Sequence, residues 1–187
     1  MAVVKNSEDG KSNENMTNNG GRSFIKNLPA ILAVGLLAAL DQLAKFIVTG
    51  NFELHESRPL IKGVFSLTYI RNEGIAWGMF QGGRIVFLVI TVIVLAACFY
   101  VYYKISGEKK LAPVRYCLIF VAAGSIGNMI DRVKLGYVVD FFDFELINFP
   151  VFNVADIYVT VSMILLIILI CFVYKDEDFE VLFKKAQ

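Results

Sequence analysis

Four long apolar stretches, at residues 28–48, 85–103, 114–130 and 157–174, are separated by polar segments along this chain. Each is close to the roughly 20 residues that an apolar helix needs to cross the hydrocarbon of a bilayer. The pattern predicts a membrane all-α fold with four transmembrane helices. Between the first two stretches the rhythm changes. Residues 64–70 alternate with period two, as a half-buried strand does, residues 71–74 (Arg-Asn-Glu-Gly) predict a turn, and residues 75–80 are apolar around Trp77, a residue suited to the membrane interface. Residues 137–144, rich in Val and aromatics, predict a second strand. A small β-sheet or cradle lying on the outer face of the helices is therefore expected.

Composition strengthens the membrane reading. With 57% hydrophobic and 19% charged residues in a chain of 187, the protein is too apolar for a soluble domain of its length. The cations then set an expected orientation. Lys5, Lys11, Arg22 and Lys26 precede the first stretch, Lys104, Lys109, Lys110 and Arg115 lie between the second and third, and Lys175, Lys184 and Lys185 follow the fourth. Those regions belong on the cytoplasmic side, with the loops at 49–83 and 131–152 outside and both termini inside. Residues 1–27 open with a run rich in Asn, Ser, Gly and Lys that lacks periodicity and is expected to be a disordered cytoplasmic tail. Residues 28–174 form the membrane domain and 175–187 a short cytoplasmic tail. A cleaved signal peptide is the alternative for the first stretch. Its apolar run continues through Asp41, Gln42 and Lys45 into residues 46–48 without a small-residue cleavage site, which favours retention.

Several chemistries are disfavoured at this level. A formal net charge of +1 offers no concentrated basic face for nucleic acid. Cys98, Cys117 and Cys171 all fall in apolar stretches, where small buried hydrophobes are expected rather than a disulfide set. His55 is the single histidine, so no His-based metal cluster or Ser-His-Asp triad can form, and no metal or cofactor is expected.

Against this background the polar residues inside or beside the stretches stand out, because a carboxylate near hydrocarbon must be paired, protonated or facing a wet cavity. Asp41 lies about 20 Å along the first helix axis from residue 28, in the expected outer half, with Lys45 one turn further on the same face. A structural ion pair and a direct part in a site are both open for them. The third stretch ends in Asn128, Asp131 and Arg132, spaced for one local cluster, after Gly124, Ser125 and Gly127, which permit close helix approach. For Asp131 and Arg132 a packing seam with a charged helix end is favoured over a catalytic part. Asn153 and Asp156 at the start of the fourth stretch have the spacing of a helix cap. Asp140 shares an apolar strand face with Val138, Phe142 and Phe144, while Asp143 lies on the other face, and alternation does not say which acid works. Asn72 offers an amide in the outer loop, although Asn in a turn is ordinarily there for its conformation. The convergence of these groups at the outer face favours an outward-facing site. Carriers instead place polar groups around the bilayer midplane.

Taken in order, Asp41-Gln42 with Lys45, Arg71-Asn72-Glu73-Gly74, Gly127-Asn128 with Asp131-Arg132, Val138-Val139-Asp140-Phe141 and Phe152-Asn153-Val154-Ala155-Asp156 resemble the lipoprotein signal peptidase family, bacterial signal peptidase II. The resemblance covers roughly residues 28–174. It implies an aspartic endopeptidase of the bacterial cytoplasmic (inner) membrane, with its active site on the outer face. The implied substrates are prolipoproteins held in membrane lipid and already carrying diacylglycerol on a cysteine, and cleavage falls immediately before that cysteine. It further implies a catalytic pair of Asp140 and Asp156, supporting roles for Asp41, Asn72, Asn128, Arg132 and Asn153, and inhibition by globomycin. Lys45, Gly74 and Asp131 complete the candidate set, in a chain expected to act as a monomer. Two other classes remain as alternatives. One is a Ser-Lys peptidase built on Ser125 and Lys45, for which Ser125 lacks the strand-to-helix elbow. The other is a non-enzymatic membrane transporter or assembly factor.

Overall fold

The computed structural model describes residues 5–74 and 83–183. Among the described residues four helices are long and apolar enough to cross a membrane, at Asn27–Asn51, Ile85–Lys104, Lys109–Lys134 and Val154–Val173. Each contains one of the four stretches read from hydropathy, apart from Tyr174, the residue that ends the last. The elements that carry them are α1 (Lys5–Asn51), α2 (Gly83–Lys104), α3 (Ala112–Lys134) and α4 (Val154–Ile168), the last continued by a π-helical turn at Leu169–Val173. The chain divides into two compact units, Met1–Ala33 and Val34–Gln187. In the first unit the backbone is helical from Lys5, where an unstructured tail was expected over residues 1–27. Gly10, Gly20, Gly21 and a run of Asn are weak helix formers. Extending an existing helix, however, needs no new nucleus.

In the second unit α3 is the central element, packed against both α2 and α4. Glycine makes the α3–α4 approach close. A Cβ at Gly124 would run into the Ala155 carbonyl oxygen and the Val159 side chain, and one at Gly127 would lie 2.5 Å from Asp41 Oδ2. The outer faces of the helices carry large exposed apolar side chains such as Phe46, Ile93 and Ile164, as lipid-facing surfaces do.

A three-stranded antiparallel sheet, in the order β1-β2-β3, joins the helices at one end. Its strands are β1 (Ser57–Ile61), β2 (Phe65–Asn72) and β3 (Val138–Asp143). The strand read at 64–70 is β2, which continues two residues further, so Arg71 and Asn72 belong to the strand and the turn begins at Glu73. Trp77 lies outside the described residues. Pairing of β2 with β3 contains one irregularity: Leu67 faces Phe142 but Ile70 faces Asp140, so three steps on β2 match two on β3. This is a bulge, and it reverses the facing of every β2 side chain beyond it.

Two buried clusters stabilise the second unit. Val48, Tyr69, Val139 and Phe141 pack where α1 meets the sheet. Cys98, Ile105, Leu111, Val114, Leu118 and Val121 form the other cluster, closed over by Tyr174, Phe179, Val181 and Leu182. Within the segment read as a short tail from residue 175, the described residues form a 3-10 turn at Asp176–Phe179 and helix α5 at Glu180–Phe183, with Asp178 paired to Lys110 at 2.6 Å.

Candidate active site

Asp140 sits in the middle of β3 and is 2% exposed. Its neighbours Val138, Val139 and Phe141 are buried too, so both faces of the strand are covered. That double burial is why alternation does not separate the two acids in sequence. The bulge in β2 does separate them. Beyond it, Ile70 and Asn72 share the face of Asp140, and Asn72 Nδ2 donates to Asp140 Oδ2 at 2.9 Å. In unbroken register Asn72 would point to the opposite face. Asp143 looks the other way, accepts from Thr68 Oγ1 at 2.8 Å, and stands outside the cluster around Asp140.

Asp156 is brought to the same place by the start of α4. Asn153 caps that helix: its Oδ1 accepts from the Asp156 backbone N–H and Asp156 Oδ2 accepts from the Asn153 N–H, each at 3.0 Å. The capping expected from sequence is present, and it serves the site as well. The Asn153 amide, wholly buried, also donates to Asp140 Oδ1 at 2.7 Å, so one residue holds both carboxyl groups. Asn128 Nδ2 donates to the other oxygen of Asp156, Oδ1, at 2.8 Å. Each acid therefore accepts hydrogen bonds on both oxygens and keeps lone pairs for a water molecule.

Behind this pair lies a brace of charges. Lys45, 3% exposed, contacts Asp41 Oδ2 at 2.9 Å, Asp131 Oδ2 at 3.0 Å and Asn128 Oδ1 at 2.9 Å. Asp41 also accepts the Ala155 N–H at 2.9 Å, one of the first-turn amides of α4 that its own helix cannot satisfy. Asp131 accepts the Val139 N–H at 3.1 Å and so joins α3 to β3. Gln42, a residue not singled out from sequence as part of the site, donates to Asp131 Oδ1 at 2.8 Å and to the Gly127 carbonyl at 3.1 Å. Its signal in the sequence was its place beside Asp41 in the first family motif. Of the local cluster that the spacing of Asn128, Asp131 and Arg132 allows, Asn128 and Asp131 are joined through the Lys45 ammonium, while Arg132 turns toward Phe87. Ser125 is not a partner of Lys45, whose ammonium is committed to Asp41, Asp131 and Asn128.

Arg132 borders the site differently. Its guanidinium stacks over the Phe87 ring of α2, 4.7 Å from the centroid, and makes no ion pair among the described residues. Phe87 reaches that position because Gly74, at φ +77, has no Cβ; any side chain there would collide with the ring. Gly74 N–H also donates to Asn72 Oδ1 at 2.9 Å, which fixes the Asn72 amide with its NH2 group toward Asp140. Asn72 is thus both the turn former read from sequence and a partner of the acid.

Burial pushes the Asp140 carboxyl from its ordinary value of 3.8 up to about 6. The hydrogen bonds from Asn72 and Asn153 oppose that rise and the neighbouring Asp156 adds to it.

Fold and site together define a multi-pass membrane protein with a pair of hydrogen-bonded acids at one end of its helices. The sequence profile of the family described as Signal peptidase (SPase) II matches residues 33–172. The chain belongs to that family and is a membrane peptidase. It is 40% identical over 149 residues to a protein named lipoprotein signal peptidase from Streptococcus pyogenes serotype M5 (strain Manfredo), covering 80% of this chain and 95% of the relative. The protein of the same name from serotype M1 is 41% identical over the same length. Among solved structures, a bacterial membrane enzyme determined by the in meso method at 1.9 Å resolution is 32% identical, with a TM-score of 0.69. That similarity covers 78% of this chain and 94% of the other. A second, at 2.3 Å resolution, is 30% identical with a TM-score of 0.67, covering 85% and 94%.

Proposed function

We propose that this protein is the aspartic endopeptidase that removes signal peptides from diacylglyceryl-modified prolipoproteins, cutting immediately before the lipidated cysteine. The observation that carries the reading is the linkage of Asp140 and Asp156 through Asn153: two acids on different elements share one buried residue, and burial drives Asp140 toward holding a proton. Such a pair performs peptide hydrolysis with water as nucleophile. Asp156 takes a proton from water as the water oxygen bonds to the scissile carbonyl carbon, and Asp140 gives its proton to the carbonyl oxygen. Collapse of the resulting diol returns a proton to Asp140, breaks the C–N bond, and delivers the proton on Asp156 to the leaving amine.

The remaining residues have supporting roles in this reading. Asn72, Asn128 and Asn153 orient the pair, and Asp41, Lys45 and Asp131 brace the three elements that carry it. Gly74 admits Phe87, on which Arg132 rests at the edge of the site. Placement of cations around the spans supports an outward-facing site in the bacterial cytoplasmic membrane with both termini inside. Residues 28–174 would then be the catalytic unit. The proposal extends to action as a monomer and, from the family resemblance, to inhibition by globomycin.

The substrate's lipid matters physically because acyl chains hold the cysteine at the interface, leaving the protein to orient a single peptide bond. The test uses purified protein in bilayers and two matched prolipoprotein peptides that differ only in the diacylglyceryl group. Mass spectrometry of the products should show one cut, before the cysteine, in the lipidated peptide and at least tenfold slower cleavage of the other. Equal rates, or a cut elsewhere, would contradict the assignment.

A further inference from the structure

Asn128 stands between neighbours that make opposite demands on its amide. Lys45 Nζ has only donors, and it meets Asn128 Oδ1 at 2.9 Å. Asp156 Oδ1 is an acceptor when ionised, and it meets Asn128 Nδ2 at 2.8 Å. The two ends of an amide have nearly the same shape and opposite polarity. A half-turn about χ2 would set NH2 against the ammonium and the carbonyl oxygen against the carboxylate, so it is disfavoured at both ends. A second donor to Asn128 Oδ1, Asn153 Nδ2 at 3.1 Å, holds it less firmly. That NH2 group has two hydrogens and three acceptors, with Asp140 Oδ1 closer at 2.7 Å and the Val139 carbonyl at 3.3 Å. Lys45 is itself fixed by Asp41 and Asp131 at 2.9 and 3.0 Å, in a position nearly closed to solvent.

We propose that Lys45 is a positioning residue for the reaction: by donating to Asn128 Oδ1 it sets the polarity of that amide so that its NH2 group is aimed at Asp156. Lys45 makes no hydrogen bond or ion pair with either carboxyl group of the pair among the described residues; its charge acts on Asp140 only from a distance, and its positioning role runs through Asn128. Asp41 and Asp131 hold the ammonium in place. The inference rests on the reading of Asp156 as a working acid.

A cycle of variants separates this role from that of a buried ion pair that merely stabilises the fold. Lys45→Met alone would leave two buried carboxylates without a counter-charge, so it is combined with Asp41→Asn, which removes one charge of each sign. Turnover of a lipidated prolipoprotein in micelles is measured for this double variant, for Asn128→Ala, and for the triple combination, alongside thermal unfolding. With Asn128 present, loss of the ammonium should lower kcat by about 10- to 100-fold, the size of a lost charge-assisted hydrogen bond, with KM within about twofold. With Asn128→Ala the same loss should cost about twofold or less. An equal fold-loss in both backgrounds, or none in either, would overturn the proposal. If the double variant does not unfold cooperatively, Lys45→Met with Asp131→Asn provides the same charge balance. The proposed acid pair fails separately, by activity surviving in Asp140→Asn or Asp156→Asn.

Discussion

Asp140 and Asp143 are chemically identical and three residues apart, yet their surroundings differ completely. Asp140 is buried among two amides and a second acid, whereas Asp143 meets a threonine hydroxyl. The presence of acids beside a membrane span was legible in the sequence, since few forces other than function retain them there. Which acid was not, because burial on both faces of β3 erases the alternation that would have ranked them. The environment of Asp140 carries its own prediction. Ionising it costs more in the folded chain than in the unfolded one, so between pH 3.8 and about 6 the folded state binds more protons. The stability of the wild-type protein relative to Asp140→Asn should therefore fall as pH rises through that window and stay flat above it. The total change should be on the order of 3 kcal/mol. Thermal unfolding of both proteins in one detergent across about pH 4 to 8 would measure it, and a difference independent of pH would contradict the burial cost.

Among the elements, the four spans were readable to within a few residues because membrane helices are bounded by where apolar residues stop. The sheet was less readable. Strand β1 contains Pro59 and is exposed along its length, so it has no hydrophobic period to detect. The bulge in β2 depends on pairing with a strand some seventy residues away, roughly the separation of Asn72 from Asp140. No local pattern encodes that. The glycines of α3, by contrast, announced close packing correctly. Gly124→Ala should push α4 away from α3, since the added methyl meets the backbone oxygen of Ala155 rather than a movable side chain. A loss of about 1–3 kcal/mol in stability and a fall in activity are expected, because Ala155 is the neighbour of Asp156. Unchanged melting and turnover would show that the helices have slack there. At the other cluster, Arg115 Nη1 binds the carbonyls of Ile105, Ser106 and Glu108 at 2.9, 3.1 and 3.0 Å. Arg115→Ala should destabilise by about 2 kcal/mol while leaving KM unchanged, as judged by unfolding and steady-state kinetics.

For the molecule as a whole, the second unit combines lipid-facing helices with two buried clusters and one polar site next to the sheet. The amphiphilic design follows from hydropathy, while the site depends on side chains from α1, α3, α4 and two strands meeting in three dimensions. Its members were nearly all present in the sequence reading, as were the Asp41–Lys45 and Asn153–Asp156 pairings, but the partners across elements were not: Lys45 serves Asn128, Asn72 serves Asp140, and Asn153 also serves Asp140. These long-range pairings make hydrolysis by two aspartates the account's central claim. Its most direct test is the cleavage rate of one lipidated prolipoprotein by the wild type and by Asp140→Asn, Asp156→Asn and Asp143→Asn, in the same micelles with folding checked by melting. Asp140→Asn and Asp156→Asn should each lose about 100- to 10,000-fold while remaining folded, and Asp143→Asn should stay within about tenfold of the wild type. Substantial activity in either of the first two, or an inactive but folded Asp143→Asn, would contradict the assignment.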